Sequence, residues 1–124
     1  MPKLSCKELM RSRKLKIGTI VSEFVTPAIG HVIKNAGCDF AMVDMEHTGW
    51  GFETVKTAVR FLHDAGVVSL VRPPSMQYHH IARACDVGAQ GIQPPRLETA
   101  DEARRMVSYI SSTRPREAGA WPSA

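Results

Sequence analysis

With 124 residues, of which 44% are apolar and 23% charged, the chain has the composition of one ordinary globular domain and gives no sign of disorder. No apolar run approaches the ~20 residues needed to cross a bilayer. Met1 to Glu8 also lacks the apolar stretch of a signal peptide, so a cytoplasmic protein with no membrane partner is expected.

The net charge of +4 is concentrated in Lys3, Lys7, Arg11, Arg13, Lys14 and Lys16. No aromatic platform, RNA-binding signature or zinc-finger spacing accompanies these charges, so they read as a solvated basic helix and no nucleic-acid partner is expected. Cys6, Cys38 and Cys85 form an odd, widely spaced set without a C-x-x-C pair. They read as buried thiols, neither a disulfide framework nor a zinc site.

In chain order, a short helix is predicted around Ser5 to Arg13, then a strand from Lys16 to Val21. A helix from Pro27 to Ala36 follows, opened by a Thr26 cap with proline at its first position. Phe40 to Asp44 is the next strand. Phe52, Val55, Val59 and Leu62 recur at helical spacing within Phe52 to Ala65, and Gly66 supplies the stop. A third strand covers Val67 to Val71, and a short helix runs from Gln77 to Asp86, ended by Gly88. Gly91 to Gln93 is a fourth strand, and Thr99 to Ser111 a last helix in which Thr99 and Glu102 form a capping box. Four consecutive strand–helix units imply parallel strands, and either a small open sheet or half of an eight-fold barrel would fit. No G-x-G-x-x-G or phosphate-binding loop is present.

Chemistry in such folds gathers where parallel strands end. Asp44-Met45-Glu46-His47 stands where the apolar run Phe40-Ala41-Met42-Val43 stops. Alternation along an extended strand puts Asp44 and Glu46 on one face and Met45 on the other, and buried carboxylates there require partners. His47, just beyond, suits acid or base chemistry because an imidazole titrates near neutrality, although loops also carry histidines that do nothing. Arg72 ends the third strand before Pro73-Pro74. Its guanidinium can clamp the carboxylate of a small keto-acid, or form an ion pair with Asp44 or Glu46, or both. Asp86 closes its helix, where a negative charge opposes the macrodipole and invites a cationic partner. Tyr78-His79-His80 is not spaced as a metal motif, since adjacent histidines on a helix face apart.

At these residues the sequence resembles the metal-dependent pyruvate aldolases typified by 2,4-dihydroxyhept-2-ene-1,7-dioate aldolase, in the wider superfamily that includes citrate lyase β-subunits. The resemblance is carried by Ala36-Gly37-Cys38-Asp39-Phe40, Asp44-Met45-Glu46-His47, Leu70-Val71-Arg72-Pro73, Asp86-Val87-Gly88-Ala89-Gln90-Gly91 and Glu98-Thr99-Ala100-Asp101-Glu102-Ala103, in order across about Ile17 to Thr113. It implies an α/β fold holding the first four βα units of a (β/α)₈ barrel of the TIM type, truncated to a half-barrel. Residues 1–15 would be an N-terminal helix, 16–113 the partial barrel and 114–124 a divergent, loose tail.

The resemblance further implies reversible cleavage of a 4-hydroxy-2-keto-acid to pyruvate, or a related 2-keto-acid, and an aldehyde. His47 would be the base acting on the substrate hydroxyl, and Arg72 would bind the keto oxygen and stabilise the enolate. Asp44 and Asp86 would orient or polarise His47, with Glu46 in support. Asp86 would act across a subunit contact, because the C-terminal end of a barrel helix lies opposite the catalytic loops. A divalent metal such as Mg²⁺ or Mn²⁺ is implied, with the family's ligands falling beyond Ala124 and none in this chain. The partners expected are a small 2-keto-acid and further copies of the chain. The alternative is a non-catalytic half-barrel that self-associates or pairs with a partner chain. In either case inward strand residues such as Val43 and Val71 are expected to lack the opposite wall that would cover them.

Overall fold

The computed structural model describes residues 5–113. Along the chain run α1 (Cys6–Arg11), β1 (Gly18–Val21), α2 (Ile29–Asn35), β2 (Phe40–Asp44), α3 (Phe52–Asp64), β3 (Val68–Arg72), α4 (Tyr78–Asp86), β4 (Gly91–Ile92) and α5 (Ala100–Thr113). The four strands form one sheet in the order β1-β2-β3-β4, every pair parallel. The expected α/β architecture is therefore present. The tail expected over 114–124 lies outside the described residues.

Helix ends follow local chemistry. The Thr99 hydroxyl accepts from the Glu102 N–H at 3.2 Å while the Glu102 carboxylate accepts from the Thr99 N–H, the reciprocal capping box expected there. Ser5 and Glu8 make the same box at α1, which the sequence reading passed over. Gly66 and Gly88, with φ of 77° and 101°, end α3 and α4 in the left-handed region where a β-carbon would be strained. The expected Thr26 cap is not formed. Residues 27 and 28 make a turn instead, the Ile29 N–H bonds to the Thr26 carbonyl, and α2 begins at Ile29 without a side-chain cap.

Strand parity decides what is covered. Val21, Val43, Val71 and Ile92 stand in register across the sheet and pack into one cluster with Val55, Ala58, Val59 and Leu62 of α3. Val43 and Val71 are fully buried, so the expectation that they face an uncovered interior is corrected. They belong to the helix-facing set, and the residues one step along the chain point the other way. That other set is Ile20, Met42 and Leu70, again in register. Ile20 is 56% exposed. A β-carbon at Gly91 would lie 2.5 Å from Leu70 Cδ2 and 3.0 Å from Cys6 Sγ, which places α1 on this same face. Of the three cysteines, Cys85 is buried and Cys6 and Cys38 are half-buried, and none forms a disulfide.

Candidate active site

Asp44 and Arg72 are paired positions of neighbouring parallel strands, each the last residue of its strand. Both lie two residues beyond Met42 and Leu70, on the face away from the helix-packed core. The register brings a carboxylate and a guanidinium side by side, and they meet bidentately. Arg72 Nε donates to Asp44 Oδ1 and Nη2 to Oδ2, each at 2.8 Å. Paired charged bonds of this kind are short and directional, and their strength permits the burial of Asp44, whose side chain is 4% exposed. The Arg72 bond holds the Asp44 carboxyl below the usual carboxylate range, opposed by burial and assisted by backbone N–H groups of the following loop. Asp44 in turn raises the pKa of the guanidinium further.

The loop after β2 is shaped by its own side chains. Asp44 Oδ1 also accepts the Glu46 N–H at 2.9 Å, a turn that aspartate makes with the backbone two residues on. Thr48 Oγ1 donates to the Asp44 carbonyl at 2.7 Å and accepts from the Trp50 N–H at 3.3 Å. Met45 continues the ladder to the Arg72 carbonyl and buries its side chain in the core. Glu46 consequently returns to the Asp44 side, as alternation predicts. Its Oε2 lies 3.5 Å from Arg72 Nε and its Oε1 3.5 Å from His47 Nε2. His47 projects into solvent with its side chain 68% exposed.

Four of the five residues singled out from sequence therefore converge. Of the readings of Arg72, the ion pair is the one present, close with Asp44 and looser with Glu46. Glu46, read as support, is the acid beside the imidazole, whereas Asp44 reaches the His47 segment through its backbone N–H. Asp86 is not brought in. It is exposed at the end of α4, on the edge where β4 begins, while Asp44 and Arg72 lie where β2 and β3 finish. It makes no ion pair among the described residues. Thr48 was missed, although a threonine closing an Asp-initiated turn is a readable signal.

A second group beyond the sequence reading follows Arg72. Ser75 Oγ lies 2.7 Å from His80 Nδ1, and the His80 ring packs 6.2 Å from Phe52 at the start of α3. Burial first, then the nearby charges of His79 and Arg83, lowers the pKa of this imidazole. A cavity of about 560 Å³ between α4 and α5, lined in part by Tyr78, His79, Arg105 and Tyr109, contains none of the strand-end residues.

The rim's own donors do not fit a divalent ion. Both Asp44 oxygens are taken by Arg72, Glu46 lies between the Arg72 guanidinium and the His47 imidazole, and no group of three or more His, Cys, Asp or Glu gathers among the described residues. Two carboxylates against one guanidinium leave one negative charge while the imidazole is neutral, and none once it is protonated.

Residues 23–120 match the model of the HpcH/HpaI aldolase/citrate lyase family. The chain belongs to that family. It is 27% identical over 111 residues to a hydroxypyruvate/pyruvate aldolase of Sagittula stellata, covering 90% of this chain and 44% of the relative. With a 2-keto-3-deoxy-L-rhamnonate aldolase of Escherichia coli it shares 26% over 102 residues, 82% of this chain and 38% of that one. The crystal structure of an HpcH/HpaI aldolase from Desulfitobacterium hafniense superposes with a TM-score of 0.77 at 26% identity, covering 91% of this chain and 49% of the other. The chain thus spans less than half the length of these relatives. Its four parallel strands are the N-terminal half of the TIM barrel that these aldolases adopt, and the match reaches seven residues past the last described one.

Proposed function

We propose that this chain supplies the base and the keto-acid-holding residues of a carbon–carbon lyase that cleaves 4-hydroxy-2-keto-acids reversibly to pyruvate, or a related keto-acid, and an aldehyde. The observation that carries the reading is the strand-end pairing of Asp44 with Arg72, with His47 on the same rim. Asp44 fixes the guanidinium through Nε and one Nη2 hydrogen, leaving the Nη1 hydrogens for a ligand oxygen. Relatives named for pyruvate, hydroxypyruvate and 2-keto-3-deoxy-L-rhamnonate support this class of substrate.

In this reading the keto oxygen binds Arg72, and the imidazole of His47, directly or through one water, takes the proton of the C4 hydroxyl. The C3–C4 electron pair moves into the keto-acid as an enolate, the aldehyde leaves, and a proton added at C3 completes the keto-acid. Fixed charge placed where the enolate oxygen develops is usually the larger catalytic contribution. The rim residues hold no metal site of their own, so metal dependence would rest on donors supplied from outside the described residues.

A second reading is favoured by Ile20, exposed on the face opposite α3, and by the outer edges of β1 and β4, unpaired among the described residues: a non-catalytic half-barrel that assembles with another copy. Calorimetric titration with pyruvate, with and without Mg²⁺ or Mn²⁺, separates the two. The lyase reading expects pyruvate binding that survives His47→Ala and is lost in Arg72→Ala. Arg72→Lys should restore it poorly, because an ammonium lacks the planar fork. Pyruvate affinity indifferent to Arg72 would sink it. For the second reading, light scattering that finds a monomer at high concentration is the adverse result.

A further inference from the structure

Glu46 touches two side chains of different task through its two oxygens. Oε1 faces His47 Nε2 and Oε2 faces Arg72 Nε, both at 3.5 Å. Its side chain is 12% exposed, so water screens it far less than it screens the imidazole beside it. Asp44 cannot take this position. Both its oxygens accept from Arg72, and Oδ1 also accepts the Glu46 N–H.

We infer that Glu46 is a shared counter-ion, a positioning residue that ties the proton on His47 to the charge presented by Arg72. The inference rests on the roles proposed above for these two residues. A carboxylate facing Nε2 favours the tautomer with hydrogen on that nitrogen, and Nδ1 then keeps the lone pair that accepts the substrate proton. Before the transfer, Arg72 faces two carboxylates and its charge is well compensated. After it, the imidazolium draws on Glu46 and the guanidinium is less compensated. At that moment the substrate oxygen held by Arg72 becomes an enolate. One carboxylate thereby makes the two halves of the reaction cooperate: the proton leaves the C4 hydroxyl for Nδ1, and the electron pair it releases ends on the oxygen held by Arg72. Among the described residues the charged group against the His47 ring is Glu46 on its own loop, and beyond Glu46 stand Arg72 on β3 and Asp44 on β2.

Nuclear magnetic resonance on the isotope-labelled chain tests this without turnover. The Arg72 Nε–H signal and the His47 ring C–H signal are followed from about pH 5 to 8, where an imidazole titrates. In the native chain the Arg72 signal should move with the His47 transition. In Glu46→Gln, nearly the same in shape, His47 should still titrate while the Arg72 signal stays flat. Glu46→Asp, with the charge on a shorter stem, should restore part of the coupling. An Arg72 signal that ignores His47 in the native chain, or follows it undiminished in Glu46→Gln, overturns the inference. If coupling is seen but pyruvate affinity is indifferent to Arg72, the lyase reading falls and the shared counter-ion stands. The opposite pair of results removes the counter-ion alone.

Discussion

Val43 and Asp44 are consecutive residues of β2, and Val71 and Arg72 are consecutive in β3. Both valines are fully buried against the helices, whereas Asp44 and Arg72 clasp each other on the other side of the pleat. The helix-facing side is apolar and redundant, its packing spread over many side chains. The rim depends on one ion pair, a loose third charge and an exposed imidazole. A parallel strand therefore keeps its stability and its chemistry one residue apart, and a substitution should harm one far more than the other.

The largest effect is expected in the helix-facing core. Leu62→Ala should cost about 2–5 kcal/mol in denaturant unfolding, the range for emptying a well-packed leucine site. The Arg72–Asp44 bonds should survive it below the transition, as the Arg72 Nε–H signal would report. If that signal vanished at low denaturant, the two sides of the strands would not be separable.

Next comes the ion pair. Asp44→Asn leaves Arg72 without its bidentate partner and should cost about 1–3 kcal/mol. The pH dependence has a definite sign. The native Asp44 carboxyl lies below its unfolded value, so its contribution is present above the ordinary carboxylate value of ~3.9 and is lost as pH falls through the lower native one. Asp44→Asn should flatten that part of the acid-side stability curve, and an unchanged slope would refute the assignment.

A smaller effect tests whether the segment after Arg72 belongs to the rim or to the core. Half-buried His80 is held below the ordinary imidazole range, and its neutral Nδ1 can accept the Ser75 hydroxyl. As pH falls through ~6.5 the unfolded chain takes up this proton before the native one does, so stability should decline until the native imidazole is protonated too. Ser75→Ala should remove about 1 kcal/mol above that range. His80→Gln should abolish the decline, measured by unfolding at a series of pH values.

The smallest change in stability is expected at Glu46. Its contacts are 3.5 Å long and one partner is solvated, so Glu46→Gln should cost under about 1 kcal/mol while removing the link between His47 and Arg72. A larger loss would make Glu46 a structural residue first.

Much of this was legible in advance for particular reasons. The Phe40–Asp44 run, the 52, 55, 59, 62 spacing of α3 and the Thr99–Glu102 box are local signals that need no tertiary information, and each appears where read. Thr26-Pro27 is also local, yet a turn there satisfies the Ile29 N–H through a carbonyl and the hydroxyl goes unused as a cap. Alternation correctly separated Met45 from Asp44 and Glu46. Which face of the strand meets the helices is not a property of alternation, and for that reason Val43 and Val71 were assigned to the uncovered side.

The sequence by itself determined the elements, their parallel order and the supply of charged groups at two strand ends, because periodicity, caps and residue types are written along the chain. Only the tertiary structure decided the register that sets Asp44 against Arg72 rather than against a neighbour one step away, and with it the choice of Glu46 as the acid beside His47. Asp86 stands on the opposite edge, where its place at the end of a helix had already put it. Register and facing are set by how the apolar sides of strands and helices fit together across the whole sheet, and a slip of one residue would carry every one of these side chains to the other face.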